Sequence, residues 1–382
     1  MPGALVNGPV RRRTLLLGAA AGLGTLAGCG TTPVGTGGTS PAAAPGSSRT
    51  SSSGGASGSS SGASSSPSSS TTSTSPSPGP TSTAPPDPAK VKANELGVVP
   101  VMMYHRLTPT PGEYDMTPGA FRSQVRRLLR SGYRPVDARD LARGRIDVPA
   151  GTTPVVLTFD DGSAGQFRLQ RDGRLDPDCS AGILAAECAR VPGAVARATF
   201  YVNRAPFGLT SAKDQSRALR ALLEMGFQLG NHTLDHANLA TLSGEGVAKE
   251  FVRLQRLVEG LAPEADLSTM ALPFGVGARN RALDRKGSWD GTSYRFTITL
   301  LVGADPAPSP FATAFDAHAV PRIRGTSWHG GTTPLTGRYW LDHLDDHPEQ
   351  RYVSAGDPDH VTVPKALRHQ VADRYRDRLV TY

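Results

Sequence analysis

Two acidic residues in succession, Asp160 and Asp161, close the apolar run 155–159 and are followed by Gly162. Like charges side by side repel, and aspartate is disfavoured in strands. The pair therefore asks for a compensating cation, or else it is an ordinary Asp-Gly turn with no further meaning. Further along, His232-Thr233-Leu234-Asp235-His236 spaces two imidazoles four apart, which on a helical turn puts both on one face. Both nitrogens could then reach one divalent ion at ~2.0–2.1 Å, although a surface histidine pair has the same spacing. An anionic third ligand changes the balance, and Asp161 offers one. One Asp and two His leave coordination positions free for water and substrate, as hydrolytic metal chemistry requires. Asp160 would then stay unliganded and free to accept a proton.

Such residues need strands that end together. The apolar run 98–105 reads as a buried strand ending on His105, and 117–133 as an amphipathic helix with Phe121, Val125, Leu128 and Leu129 at helical spacing. Strands are expected at 155–159 and 198–203, with an irregular stretch at 163–195 between them. Helices follow at 211–226 and 244–261, then a strand running into a Gly/Pro turn at 269–277, and strands at 294–303 and 319–325. Short apolar strands alternating with amphipathic helices predict an α/β fold of parallel units, a barrel or a doubly wound sheet. Working residues in such folds collect at the carboxyl ends of strands, where His105, Asp160, Asp161, His232, His236 and Pro273-Phe274-Gly275 all fall.

Taken together, Thr158-Phe159-Asp160-Asp161-Gly162, the His-Thr-x-x-His block from His232 and Pro273-Phe274-Gly275, in this order, resemble carbohydrate esterase family 4, the polysaccharide deacetylases with a NodB-homology domain. The similarity runs from about 98 to 325. It implies a distorted (β/α)7-type barrel, with Asp161, His232 and His236 as metal ligands and Asp160 as catalytic base. It also implies a divalent ion, Zn²⁺ with Co²⁺ or Ni²⁺ as alternatives, and hydrolysis of N-acetyl groups on a cell-envelope or extracellular polysaccharide, releasing acetate. An O-acetyl polysaccharide esterase or a non-catalytic wall-binding lipoprotein are the other outcomes compatible with the resemblance.

The pattern departs from the common form of the family in two places. The late histidines do not follow an apolar run, whereas His105 does, resembling circularly permuted members whose acid-bearing strand comes first. His105 is therefore expected as general acid, with His329 as the fallback. No arginine precedes the third block, so Arg322, in Val320-Pro321-Arg322-Ile323-Arg324-Gly325, is expected to supply the cation that holds the base, unless it is simply structural. By the same resemblance the backbone N–H of Phe274 is the oxyanion donor. Tyr104, Phe274 and Trp328 could make a platform for a sugar ring or serve as core aromatics.

The remainder of the chain sets the context. Arg11-Arg12-Arg13, an apolar run and Leu26-Ala27-Gly28-Cys29 describe an export signal with a lipobox over 1–29; cleavage would leave a lipidated Cys29 as membrane anchor, an ordinary signal peptide being the alternative. From 31 to 90, 49 of 60 residues are Ser, Thr, Gly or Pro, too polar to offset ordering entropy, so 30–94 is expected to be a disordered linker and 95–382 the catalytic domain. The net charge of +8 falls to 38 − 33 = +5 without the three leader arginines. That excess suits an anionic envelope, and no basic stripe interleaved with aromatics points to nucleic acid. For an exported protein a Cys179–Cys188 disulfide is the favoured expectation, two free buried thiols the other. The segment 335–382 carries no interpretable pattern.

Overall fold

The computed structural model describes residues 86–326 and 336–382. The leader, Cys29 and most of the linker lie outside the described residues, as do Trp328 and His329. Among the described residues no helix is long and apolar enough to cross a membrane.

The elements alternate as strand and helix: β1 (Val101–Tyr104), α1 (Pro118–Arg130), β2 (Tyr133–Val136), α2 (Ala138–Arg143), β3 (Thr153–Phe159), α3 (Ser180–Cys188), β4 (Thr199–Val202), α4 (Ala212–Glu224), β5 (Gln228–Asn231), α5 (Gly244–Leu261), β6 (Thr269–Ala271), β7 (Ile298–Leu300), β8 (Ile323–Arg324) and α6 (Gly337–Asp346). All pairings within the main sheet are parallel, in the order β7-β6-β5-β4-β3-β1-β8, with β2 beside the first half of β3. Val320 pairs with Leu300 of β7, and the Leu301 N–H donates to its carbonyl at 2.9 Å, while Ile323 pairs with Met102 of β1. The segment 320–324 thus spans from one sheet edge to the other and curls the eight-stranded sheet into an α/β barrel, with seven strands around the ring and β2 outside it.

Local chemistry explains the elements. Thr117 caps α1 by accepting the Ala120 N–H, Pro118 fills the first turn, and Phe121, Val125, Leu128 and Leu129 face inward. In α5 the cap is Ser243, and Val247, Phe251, Val252, Leu254 and Val258 make the buried stripe. Strand alternation divides the core in two. Val101, Val156, Tyr201, Ala271 and Ile298 pack inside the barrel, whereas Met102, Leu157, Phe159, Phe200, Leu229 and Ile323 pack under the helices. Gly230 is required here, because a Cβ would run into the Tyr201 ring that fills the barrel.

Four expectations change. The stretch 163–195 is not irregular throughout, since it contains α3. The favoured disulfide is absent: Cys179 and Cys188 are free, buried thiols. They bracket the helix, with Cys179 as its cap and Cys188 its last residue; nine residues at ~1.5 Å separate them by roughly 13 Å, well beyond the ~7 Å Cα reach of a bridge. The strand expected at 294–303 breaks at 296–297, its first part turning back in an antiparallel hairpin with Lys286–Trp289 and only β7 joining the barrel. The fold also begins before 95. Pro88–Val91 is a short helix, Ala93 is buried, and Asn94 pairs with Val353. The uninterpreted tail closes the barrel floor, burying Tyr352, Val361, Val363, Val371 and Tyr375 against Val99, Val101 and Val156.

Candidate metal centre and the residues around it

The parity that points Val156 and Thr158 into the barrel carries Asp160 the same way, and in β1 it carries His105 inward after Val101 and Met103. The adjoining strands are held at this level by the Asp160 N–H, which donates to the Tyr104 carbonyl at 2.9 Å. Asp161 breaks the alternation. Its φ of 73° and Gly162's of 58° swing the second carboxylate out of the strand path toward β5.

There it meets both histidines. Asp161 Oδ1 lies 3.4 Å from His232 Nε2 and 3.4 Å from His236 Nε2. Three ligands at ~2.0–2.1 Å in a tetrahedral arrangement sit roughly 3.4 Å from each other, so the spacing fits a shared ion better than direct hydrogen bonds. His232 Nδ1 lies 2.8 Å from the Ala271 carbonyl, and a proton there leaves Nε2 as the lone-pair donor facing Asp161. The donor set is therefore complete and oriented for a divalent cation, with Asp161, His232 and His236 the residues that would hold it.

The segment carrying the two histidines is not the helical turn expected. It runs from the end of β5 through an irregular loop in which Thr233 (φ 61°) and His236 (φ 51°) both adopt left-handed backbone. The imidazoles converge through that strained path, with ring centres 4.9 Å apart. Asp235, between them, points away and pairs with Arg204 at the surface.

Asp160 is held by another partner. Its two oxygens meet Arg322 Nη1 and Nη2 at 2.7 Å each, a bidentate pair in which both side chains are almost wholly buried. Arg322 also donates to the Leu301 carbonyl at 2.8 Å and to Thr158 Oγ1 at 3.2 Å. Burial opposes the charge on Asp160, but the Arg322 guanidinium and His232 outweigh it and hold its carboxyl well below the usual range. The His105 imidazole is pushed below the ordinary histidine value, chiefly by burial, against the pull of Asp160 and Asp161.

These groups open onto one cavity of about 420 Å³, lined by His105, Asp160, Asp161, His232, His236 and Phe274 with Leu272, Val302, Arg106, Tyr114 and Arg324. Phe274 is 60% exposed and lies with its ring 4.6 Å from that of His236. Its backbone is left-handed (φ 57°); Gly275 and Val276 donate to Leu272 and Pro273, while the Phe274 N–H has no protein acceptor among the described residues. Tyr104 is not a platform residue. It is buried, packs against Phe121 and Phe159, and donates to Gln124 Oε1 at 2.7 Å.

Two features went unforeseen. Gln166 Nε2 donates to the His105 carbonyl at 2.6 Å and also to the Asp160 carbonyl, tying together the ends of β1 and β3. The segment 106–116 supplies Arg106 and Tyr114 to the cavity wall, beside Arg324. Arg324, in β8, shares the parity of Arg322 just before it, a signal present in the sequence; Gln166 and Tyr114 lie in polar, Gly/Pro-marked loops with no such signal.

Residues 147–286 match the family model for polysaccharide deacetylase, so the segment bearing Asp160, Asp161, His232, His236 and Phe274 is polysaccharide-deacetylase-like. Among curated proteins, a chitooligosaccharide deacetylase of Sinorhizobium fredii is 30% identical over 126 residues, 33% of this chain and 49% of that protein. A probable peptidoglycan-N-acetylglucosamine deacetylase of Arthroderma benhamiae is 33% identical over 79 residues, covering 21% of this chain and 18% of that one. The chain thus spans about half or less of the length of these relatives. Among solved structures, a Streptococcus pyogenes deacetylase in complex with acetate covers 62% of this chain and 95% of its own at 18% identity, with a TM-score of 0.44.

Proposed function

We propose that the chain is a metal-dependent deacetylase that hydrolyses N-acetyl groups on a cell-envelope or extracellular polysaccharide and releases acetate. The observation that carries the proposal is the convergence of Asp161, His232 and His236 at 3.4 Å spacing beside an unliganded carboxylate, Asp160, that Arg322 keeps ionised. A divalent cation in that donor set would supply Lewis-acid polarisation of the scissile carbonyl and acidify the attacking water. Asp160 accepts that water's proton. The Phe274 N–H donates to the oxygen as it gains negative charge, and His105, across the cavity, gives a proton to the departing nitrogen. Exposed Phe274 offers an apolar face to the sugar.

The family match at 147–286 excludes His105, just after β1, and Arg322, just before β8. Their delivery from outside the matched segment supports a circularly permuted arrangement. We further propose that removal of the leader leaves a lipidated Cys29 as the first residue, so that the Ser/Thr/Gly/Pro-rich segment tethers the enzyme to a membrane within reach of the wall.

The test is acetate release from N-acetylated oligosaccharides by the metal-loaded protein. Release is expected to stop on chelation and return with Zn²⁺, and Asp160→Asn is expected to lower the rate by roughly 10²–10⁴-fold. Release that survives chelation and metal-free dialysis would overturn the proposal.

A further inference from the structure

A proton donor in a hydrolytic site needs a fixed orientation, and a histidine usually gets it from a carboxylate or carbonyl on its second nitrogen. Among the described residues His105 has no such partner. Its carbonyl is anchored by Gln166 Nε2 at 2.6 Å, with Ser163 Oγ at 3.4 Å, but its ring nitrogens make no hydrogen bond among the described residues. What the imidazole meets instead is Tyr114, at 4.9 Å between ring centres and 64° between planes, an edge-to-face contact.

Tyr114 is itself clamped. The Arg324 guanidinium lies over its ring, 4.9 Å from the centroid, and Arg324 is paired with Glu113 at 2.7 Å. On the next residue, Asp115 takes a bidentate pair from Arg106, at 2.6 and 3.0 Å. Arg106–Leu107 and Asp115–Met116 form a short parallel ladder, and Thr326 Oγ1 donates to the Glu113 carbonyl at 2.9 Å. The segment leaves the chain immediately after His105, folds back through these contacts, and returns Tyr114 against the same histidine.

From this arrangement we propose that Tyr114 is the positioning residue for His105, an aromatic clamp standing where a carboxylate would ordinarily orient the imidazole. The inference rests on the general-acid role given to His105 above, and the experiment separates the two. Tyr114 acts through ring packing, so its hydroxyl is dispensable and its contribution belongs only to the step in which His105 delivers a proton.

The zinc-loaded full chain and its Tyr114→Ala, Tyr114→Phe, Arg324→Met and His105→Ala variants are assayed on two substrates. One is an N-acetylated oligosaccharide, whose amine must be protonated to leave; the other is 4-nitrophenyl acetate, whose phenolate leaves without a proton. His105→Ala is expected to lose roughly 10²–10⁴-fold in kcat on the amide and far less on the ester. Tyr114→Ala should show the same selectivity at about tenfold or more, with KM little changed, Tyr114→Phe should restore the amide rate, and Arg324→Met should fall between. Equal losses on both substrates, a change confined to KM, or no change in Tyr114→Ala would overturn the clamp while leaving His105 as acid. If Tyr114→Ala does not fold, Arg324→Met decides the matter by the same two ratios. An His105→Ala variant without amide selectivity would remove the acid role itself, and the clamp with it.

Discussion

Asp160 and Asp161 are adjacent yet serve opposite neighbours. One continues the strand's alternation into the barrel, where Arg322 neutralises it; the other leaves that path through a left-handed residue to face two imidazoles. The pairing with Arg322 makes a sharp stability prediction, because removing one partner of a buried ion pair leaves the other charge uncompensated. Arg322→Met should cost about 3–5 kcal/mol, read from the denaturant midpoint, and adding Asp160→Asn should recover much of it. Equal stability of Arg322→Met and the parent would mean that the pair is open to solvent. At this scale the sequence was informative wherever chemistry and spacing coincided: the two carboxylates, His232, His236, His105 and Arg322 all line or flank one cavity. The histidine spacing suggests a helix face, but two left-handed residues bring the rings together instead. Gln166 and Tyr114 were invisible, since their contacts depend on loop paths that no local pattern encodes.

The elements are held by packing and by a few charges between helices. Glu187, at the end of α3, sits at the meeting point of Arg122 and Arg126 from α1 and Arg190, at 3.2, 2.8 and 2.6 Å. The bond from Arg126 leads the effects that hold its carboxyl down to about 2 from the ordinary 4.5. A depressed folded value means that the unfolded chain binds the proton first as pH falls. The stabilisation is therefore full above 4.5 and disappears as pH falls through about 2. Glu187→Gln should lower Tm at neutral pH, with the gap to the parent narrowing as the solution is acidified over that window; a gap independent of pH would show that charge is not the cause. The long elements were legible because their apolar periods persist: α1, α5 and β3 lie close to their expected bounds. Short β2 and α2 are too brief for an apolar period to show, and α3 is buried almost all round and so lacks a polar stripe.

For the molecule as a whole, closure of the barrel floor by its own C-terminal tail was the least legible feature, since Val361, Val371 and Tyr375 find their partners far away in sequence. Glu95 is the polar rivet of that floor, accepting the N–H groups of Ala355 at 3.0 Å and Thr362 at 2.8 Å. Burial pushes its carboxyl up from 4.5 to about 7, against the pull of those two N–H groups. Here the folded state binds the proton more tightly than the unfolded chain. Stability from this group is greatest below 4.5 and declines as pH rises to about 7, the reverse of Glu187. Glu95→Gln should flatten that decline in a series of melts between those limits, and an unchanged slope would place its origin elsewhere.

The proposed chemistry requires one divalent cation among Asp161, His232 and His236 with Asp160 left free. Calorimetric titration of Zn²⁺ into the chelator-stripped, dialysed protein measures it directly. One ion per chain is expected, lost in Asp161→Ala and His232→Ala and kept in Asp160→Asn. Binding that survives both ligand substitutions, or no stoichiometric binding in the parent, would contradict the account.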